Sequence, residues 1–422
     1  MAVDKNLFVH DLAIVAIMKY EGSYLKEWLD YHLMAGVDHF YLYDHNSPDN
    51  QIEVAKPYVE AGLADYFVVP DEDSILLLYN EAVKNFKFLS RYIAFIDLDE
   101  FVYPKVDMGG GIVEVVDEIL SDAPNAGELG ISWQMFGSNG QEKADFSRGV
   151  LERFTRRASH STNPHTWCKF VANPRTINYI DSPHCAIHYE GFVAINEQGK
   201  VKPNPPWHIK PPMTDKIVIN HYQCKTWEEY QRKIKRGDGI YPTTDRYSRK
   251  AFDEYDLNEV FDDGILRYRA ERAKTFRLPD RSHDIERLLN ALSANLSPTL
   301  VSTTPTQFYA GKMETFLTCR ALADYLKTRL TDDAPAKFYE EAALKAVLQT
   351  AAIGAMTFAD ARLLLSEMPN LLSLPYPAVD DLRKACIQFI PQLTIPFHRY
   401  NQWSEIAELD YIQRLLQSWK PQ

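Results

Sequence analysis

Residues 91–104 read RYIAFIDLDEFVYP, and this stretch decides the fold. Its apolar first half indicates a buried strand, because such runs suit the interior of a parallel sheet. The run then ends in three carboxylates, Asp97, Asp99 and Glu100. Side chains alternate between the two faces of a strand, so Asp97 and Asp99 are expected on one face and Leu98 on the other.

Two carboxylates this close predict a metal site. They repel each other unless a cation lies between them or one of them is protonated. Mg²⁺ and Mn²⁺ prefer such oxygen ligands and share their remaining positions with substrate phosphates. We therefore expect the negative charge at Asp97 and Asp99 to be met by a divalent ion rather than by basic side chains. The alternative is a strand end that turns into solvent, where acids are ordinary.

Strand and helix patterns alternate along the chain before this stretch. Strands are predicted at residues 12–18, 39–45 and 65–70, and helices at residues 21–34, 51–60 and 74–89. This alternation predicts an α/β fold with a doubly wound, mostly parallel sheet. Ligands of such sheets bind outside the carboxyl ends of the strands.

Polar residues follow the two earlier strands at the same edge of the predicted sheet. The segment KYEG (19–22) follows the first strand, and Asp44 opens the turn DHNSPD after the second. A carboxylate at Asp44 can accept a hydrogen bond from a base or a ribose hydroxyl. The alternatives are structural: Asp44 in an Asx-turn that caps the next helix, and Glu21 favoured by the dipole at a helix start.

The composition excludes several classes of protein. The chain has 422 residues, of which 46 are basic and 58 acidic, and a net charge of −12 argues against a nucleic-acid surface. With 45% hydrophobic and 12% aromatic residues, the chain is not disordered. Five cysteines without close pairs argue against a disulfide or zinc scaffold and favour a cytoplasmic protein.

The length predicts two domains. We place an α/β domain at residues 1–278 and a helical C-terminal domain at residues 279–422. Helical segments of the second domain are expected at residues 316–330, 337–348, 359–368, 379–389 and 404–419. No apolar run is long enough to span a bilayer, so any membrane contact is expected to be peripheral, at the inner face. The sequence carries no signal for an oligomeric state.

Four stretches of the sequence resemble the GT-A glycosyltransferases, and more narrowly glycosyltransferase family 92 and its family 2-like bacterial relatives. They are AIVAIMKYEGSYLKEWLDYHLMAGVDHFYLYDHNSPDN (13–50), RYIAFIDLDEFVYP (91–104), ISWQMFGSNG (131–140) and INHYQCKTWEEYQRKIKRG (219–237). They follow one another in the order of the family. The resemblance implies a GT-A fold and a UDP-sugar donor bound at the carboxyl edge of the sheet.

The resemblance also implies roles for the acidic residues. Asp44 would hydrogen-bond the uracil or ribose, with Glu21 close by. Asp97 would face the ribose or the metal, and Asp99 would coordinate the Mn²⁺ or Mg²⁺ that bridges the donor phosphates. His221 would complete the metal shell, since a neutral imidazole suits Mn²⁺. The alternative is a structural histidine at a strand end.

Other matching residues are expected in the donor pocket. Trp133 would stack on a sugar face, unless it is a core tryptophan beside the tight turn that follows. Lys225 and Arg236 are favoured at the diphosphate because they lie in the last matching stretch. Lys169 and Lys233 are further candidates.

The catalytic base stays open at this point. Inverting transfer needs a carboxylate or imidazole that takes the proton of the acceptor hydroxyl. Glu142, His184, Asp145 and Glu190 are available by position. We take Glu142 and His184 as candidate catalytic residues, together with Asp99.

The combined interpretation is a metal-dependent glycosyltransferase that inverts the anomeric carbon. The resemblance favours a UDP-hexose donor, galactose above others, and a glycan or glycolipid acceptor such as lipopolysaccharide. The alternatives are a sugar nucleotidyltransferase-like enzyme and an inactive sheet domain that serves as an interaction module. Where relatives commonly have K-N-E-G, this chain has Tyr20, which changes the donor pocket or removes one hydrogen bond.

Overall fold

The computed structural model divides the chain into two compact units. The described residues are 3–70, 73–105, 110–159, 163–202, 207–237, 247–279, 281, 284–301, 312–352, 358–376, 378–399 and 403–419. One unit spans His10–Arg281, and the other combines Met1–Val9 with Ser282–Gln422. The boundary expected from the sequence, between residues 278 and 279, lies just before this division.

The described part of the first unit contains thirteen strands and eight α-helices. The strands are β1 (His10–Met18), β2 (His39–Asp44), β3 (Ala64–Val68), β4 (Ser90–Phe95), β5 (Glu100–Pro104), β6 (Ala126–Met135), β7 (Arg156–Arg157), β8 (Cys168–Ala172), β9 (Ile177–Ser182), β10 (Cys185–His188), β11 (Val193–Ile195), β12 (Ile217–His221) and β13 (Val260–Phe261). The helices are α1 (Gly22–Met34), α2 (Gln51–Glu60), α3 (Ile75–Phe86), α4 (Ile112–Ser121), α5 (Val150–Arg153), α6 (Trp227–Arg236), α7 (Arg249–Tyr255) and α8 (Gly264–Thr275).

Nine of the described strands form one mixed sheet in the order β3-β2-β1-β4-β8-β6-β12-β5, with β11 paired to β6. Strand β1 is parallel to β2 and β4, and β6 is parallel to β12, whereas β8 and β5 are antiparallel to their neighbours. Along β1, Leu12 and Ile14 belong to one apolar core, and Ala13 and Val15 belong to the core on the other face. The predicted α/β fold with a mostly parallel sheet is confirmed.

The acidic stretch differs from its prediction. RYIAFIDLDEFVYP forms two strands, because β4 ends at Phe95, β5 begins at Glu100, and residues 96–99 lie between them outside the sheet. Strand β4 pairs with β1 and β8, whereas β5 pairs with β12 at the end of the sheet. Residues 96–99 therefore carry the chain from the middle of the sheet to its end. The prediction that Asp97 and Asp99 lie on one face of a continuous strand is therefore wrong, because a turn positions both carboxylates.

Helix α1 is fixed to strand β5 by three hydrogen bonds. Trp28 Nε1 donates to the Glu100 carbonyl at 2.8 Å, and the Tyr31 hydroxyl donates to the Val102 carbonyl at 2.8 Å. The Val102 N–H donates to His32 Nε2 at 3.3 Å. Burial lowers the pKa of His32 to about 3, so its imidazole is neutral and can accept this bond. The residues that follow the acidic turn are thus held by the helix.

The second unit is helical, and this prediction is also confirmed. Its helices are α9 (Asp284–Val301), α10 (Lys312–Lys327), α11 (Ala334–Ala352), α12 (Phe358–Leu371), α13 (Ala378–Arg399) and α14 (Trp403–Ser418). Helix α9 has no counterpart among the predicted segments, although its buried Leu288, Leu292 and Leu296 follow helical spacing. Among the described residues, no helix is long and apolar enough to cross a membrane.

We expect Trp28→Phe to lower the free energy of unfolding by about 1–3 kcal/mol, because it leaves the buried Glu100 carbonyl without its donor. Urea unfolding followed by circular dichroism measures this loss. Trp207 is exposed, so Trp207→Phe is a matched control that should stay within about 0.5 kcal/mol of the parent protein. Equal losses in the two variants would contradict the role given to Trp28.

Candidate active site

A cleft opens at the carboxyl ends of β1 and β4, where ligands of parallel sheets bind. Its volume is about 310 Å³. The predicted site residues that line it are Glu21, Asp97, Asp99, Trp133, His184, His221 and Arg236. They come from the β1–α1 connection, the β4–β5 turn, β6, the β9–β10 turn, β12 and α6. The fold therefore brings together residues that are far apart in the sequence.

Both oxygens of Asp99 have partners. Lys233 Nζ lies 2.7 Å from Oδ2, and His221 Nε2 lies 3.4 Å from Oδ1. Burial alone would raise the pKa of Asp99, but the Lys233 ammonium and the His221 imidazole outweigh burial and hold this pKa well below its usual range. Asp99 is therefore an anion at neutral pH.

Asp97 and Glu100 share one buried lysine. Lys169 Nζ lies 2.9 Å from Asp97 Oδ2 and 3.7 Å from Glu100 Oε2. Glu100 Oε2 also accepts the backbone N–H of Asp97 at 2.9 Å. Burial raises the pKa of the Glu100 carboxyl well above its usual range; Lys169 opposes the rise, and Asp97 and Asp99 add to it. Lys169 therefore balances mainly the charge of Asp97.

Glu21 has a cation of its own. Arg236 Nη1 donates to the Glu21 carboxylate and to the Lys19 carbonyl, the latter at 3.2 Å. Each of the three predicted acids that line the cleft thus has a basic partner. The pairs are Glu21 with Arg236, Asp97 with Lys169 and Asp99 with Lys233. The sequence predicted that a divalent ion, and not basic side chains, meets the negative charge of these acids. In the structure, basic side chains do so.

A buried ion pair fixes the start of helix α6, which carries two of these cations. Arg153 donates two hydrogen bonds of 2.9 Å to Glu229. The Glu229 carboxylate also accepts from Thr226 and completes a capping box. Burial would raise the pKa of Glu229, but the hydrogen bonds from Arg153 and Thr226 lower it to about 2. The helix then places Lys233 and Arg236 against the acids of the cleft.

Asp99 and His221 fit a divalent ion as a pair of ligands. Burial lowers the pKa of His221, so its imidazole is neutral at neutral pH, as metal binding requires. Its Nδ1 is buried and has no hydrogen-bond partner among the described residues. The part of the chain that the structure describes holds no group of three possible metal ligands. A Mg²⁺ or Mn²⁺ ion would therefore take its other ligands from water and from a bound diphosphate.

Trp133 and His184 form an aromatic side of the cleft. The Trp133 ring centroid lies 4.3 Å from that of His221 and 5.4 Å from that of His184. Trp133 Nε1 is buried and finds no acceptor within the described chain, so its N–H can serve a ligand. His184 Nδ1 lies 2.9 Å from the Cys168 carbonyl, which can only accept. This nitrogen therefore carries the proton, and Nε2 is the basic one.

Three predicted site residues do not line the cleft. Asp44 is buried, and its carboxylate accepts hydrogen bonds from the Ser47 N–H at 2.8 Å and the Tyr66 hydroxyl at 2.7 Å. This is the Asx-turn of the structural alternative, although His45 next to it does line the cleft. Lys225 lines a second cavity, and Glu142 is exposed. Asp145 and Glu190, the other candidate bases, are also exposed.

Two lysines of the cleft, Lys169 and Lys233, were candidates that the sequence did not favour. Lys169 stands in the apolar strand β8, where a charge has to be paired, and this was a usable signal. Lys233 precedes Arg236 by three residues on α6, so a helical projection places both on one face. Neither signal identifies the partner, because the paired acids lie in another part of the sequence.

Comparison with known proteins assigns the family. The model of glycosyltransferase family 92 matches residues 15–258, more than half of the chain. The chain belongs to glycosyltransferase family 92. The resemblance carried by the four stretches is thereby confirmed, and all lining residues of the cleft lie within the matched range.

This family 92 chain spans about two fifths of the length of the curated relatives it matches. A glycosyltransferase family 92 protein of Ricinus communis is 25% identical over 234 residues, 55% of this chain and 39% of that protein. A galactan beta-1,4-galactosyltransferase of Arabidopsis thaliana is 21% identical over 188 residues, 42% of this chain and 36% of that protein. Among solved structures, S. aureus TarS 1–349 in complex with UDP-GlcNAc matches at 10% identity with a TM-score of 0.33, covering 78% of this chain and 90% of that one.

We expect Glu229→Gln in this family 92 chain to lower the free energy of unfolding by about 3 kcal/mol at neutral pH, because the folded pKa of Glu229 lies far below its unfolded value. This contribution is present above the unfolded pKa of 4.5 and fades as the pH falls towards about 2. Urea unfolding at neutral pH and at a pH between 4.5 and about 2 should therefore show a difference from the parent protein that shrinks in acid. Glu254→Gln on α7 is the exposed control; a difference that is independent of pH argues against the pairing.

Proposed function

We propose that the cleft transfers a hexose from a UDP-sugar to a hydroxyl of a glycan acceptor. The observation that supports this best is that one cleft at the carboxyl edge of the sheet is lined by Asp99 and His221 together with three cations. These cations are Lys169, Lys233 and Arg236. Charge-assisted hydrogen bonds from such cations, together with a divalent ion, suit a diphosphate. Membership of family 92 supports the same class of reaction.

The leaving group of this reaction is uridine diphosphate. When bound, the Mg²⁺ or Mn²⁺ held by Asp99 and His221 supplies charge neutralisation at the phosphates. Lys233 is close enough to Asp99 to be shared between that acid and a phosphate oxygen. Asp97, whose side chain is 45% exposed, is proposed to face the ribose or the metal. Arg236 balances the charge of Glu21 beside the donor site.

His184 is the proposed base. It lines the cleft beside Trp133, its basic Nε2 is defined by the bond from Nδ1 to a carbonyl, and the rival candidate Glu142 lies outside the cleft. Nε2 takes the proton of the acceptor hydroxyl while that oxygen attacks the anomeric carbon. The new C–O bond forms as the bond to the diphosphate breaks, and the configuration at this carbon inverts.

Galactose is the proposed hexose, and a glycan or glycolipid is the proposed acceptor. The galactan beta-1,4-galactosyltransferase among the relatives supports the first choice. Trp133 is proposed to contact the transferred sugar, since its N–H lacks an acceptor among the described residues and an indole face suits a sugar ring.

Asp99→Ala is expected to abolish the gain in UDP affinity that Mn²⁺ gives. Isothermal titration of the parent protein should show UDP binding about ten-fold tighter with Mn²⁺ than without it, because the ion joins Asp99 and His221 to the phosphates. Asp253→Ala, at an exposed carboxylate on α7, is the control and should keep the full gain. A parent protein that binds UDP equally well in both conditions contradicts metal dependence, and one that fails to bind UDP contradicts the donor assignment.

His184→Asn is expected to slow the hydrolysis of UDP-galactose about 10²- to 10⁴-fold, since water takes the place of the acceptor and its proton loses its base. UDP affinity should change little, because His184 has no role at the diphosphate. The release of UDP is measured with several nucleotide sugars, which also identifies the preferred donor. Glu142→Gln is the matched comparison: if that variant loses activity and His184→Asn does not, the base has been wrongly assigned.

A further inference from the structure

A second cavity adjoins the cleft on the side of helix α6. Its volume is about 450 Å³. Glu21, Asp99, Lys233 and Arg236 line both spaces, whereas Tyr20, Tyr24 and Lys225 line only the second one. The proposed transfer reaction uses the first space for its donor and assigns nothing to the second.

Lys225 is a buried cation in this cavity. The residue is 7% exposed, and its ammonium lies 4.4 Å from the centroid of the Tyr24 ring. Within the part of the chain that the structure describes, this ammonium has no hydrogen-bond or ion-pair partner, and the acids around it act on it through longer-range charge alone. An aromatic face compensates a buried ammonium only in part. A cation in such a place favours the binding of an anion.

The nearest acids of the second cavity are already engaged. The Glu229 carboxylate accepts hydrogen bonds from Arg153, Thr226 and the Tyr24 hydroxyl. Asp49 accepts hydrogen bonds from the Gly22 N–H and the Ser47 hydroxyl, both at 2.9 Å. The charges of Asp99 and Glu21 are met by Lys233 and Arg236. Asp99, Glu21 and Glu229 attract the Lys225 ammonium at longer range, but each of them forms its ion pair with another cation.

Tyr20 adds an aromatic wall at a strained position. Its backbone has a φ of 60°, in the left-handed region that few residues other than glycine and asparagine adopt readily. The Tyr20 N–H donates to the Ser47 hydroxyl at 2.9 Å, and this bond holds the conformation. The side chain is nevertheless large, and the residue is 47% exposed at the cavity. Strain of this kind is typical of positions that serve a ligand.

We propose that the second cavity is a subsite for an acidic sugar of the acceptor, whose oxyanion bonds to Lys225 while its ring lies against Tyr20. This inference rests on the proposed transfer function, because the subsite extends the cleft in which transfer would occur. The oxyanion is a carboxylate or a phosphate monoester, since both accept charge-assisted hydrogen bonds from an ammonium. An aromatic face beside a cation suits a sugar that carries such a group.

Three probes that differ only at carbon 6 test this proposal: glucose, glucuronate and glucose 6-phosphate. Each is titrated into the parent protein with Mn²⁺ and saturating UDP, so that the donor cleft is filled. We expect glucuronate, glucose 6-phosphate or both to bind at least about ten-fold more tightly than glucose. The stronger of the two anions identifies the oxyanion as a carboxylate or a phosphate. Equal binding of all three sugars overturns the proposal, and so does displacement of the anions by UDP, since the cavity would then belong to the donor site.

Two variants test the roles of the Lys225 ammonium and the Tyr20 ring separately. Lys225→Met should erase the preference for the anionic sugars, and it should not lower the thermal unfolding midpoint, because no paired charge is left behind. Tyr20→Asn relieves the backbone and keeps the fold, yet it should weaken both anionic sugars about three- to five-fold. Lys250→Ala, at an exposed lysine of α7, should change nothing. A Lys225→Met variant that is folded and keeps the preference overturns the proposal.

The UDP titration itself keeps this inference apart from the proposed function. If UDP binds and no sugar anion does, the acidic-sugar subsite is wrong and the transferase proposal stands. If the anions bind as expected and UDP does not, the cavity is an oxyanion site but the donor assignment fails, and its description as an acceptor subsite fails with it.

Discussion

The acidic residues of the β4–β5 turn need positive charge, and the arrangement of the site follows from this need. A carboxylate removed from water is costly unless an opposite charge or hydrogen bonds meet it. Asp97 pairs with Lys169 of β8, and the buried Asp99 pairs with Lys233 of α6. These pairs join one turn to two elements that lie far along the chain. The β4–β5 turn, strand β8 and helix α6 therefore stabilise one another.

The same pairs leave desolvated cations at the cleft, which suits the negatively charged donor proposed above. An ammonium that already lies in a desolvated place can exchange a carboxylate for a phosphate oxygen without a new loss of hydration. Helix α6 holds its cations in position through the Arg153–Glu229 pair, which lies at the opposite end of the helix from Arg236. The stability of that pair and the electrostatics of the cleft are thus properties of a single helix.

The sequence predicted the fold class, strands β1 to β4 and seven of the residues that line the cleft. Local patterns carry the fold class and the strands, because burial and periodicity are properties of neighbouring residues. The resemblance to family 92 supplied Trp133, His221 and Arg236. The break of the strand after Phe95 was not predicted, since it depends on pairing with β12 far along the chain. The partners of Asp97 and Asp99 were missed for the same reason. Asp44 was different: the Asx-turn that holds it is local, and the sequence offered it as an alternative.

The hydrogen bonds between α1 and β5 also have a consequence for association between copies of the chain. Strand β5 ends the sheet, and the free edge of a strand is a template on which another chain can add by backbone pairing. Trp28 and Tyr31 occupy the Glu100 and Val102 carbonyls, and His32 occupies the Val102 N–H. The side chains of one helix thus take the place of a neighbouring strand. The same three side chains of α1 therefore protect the edge of β5 from pairing with another chain and hold the strand that follows the acidic turn.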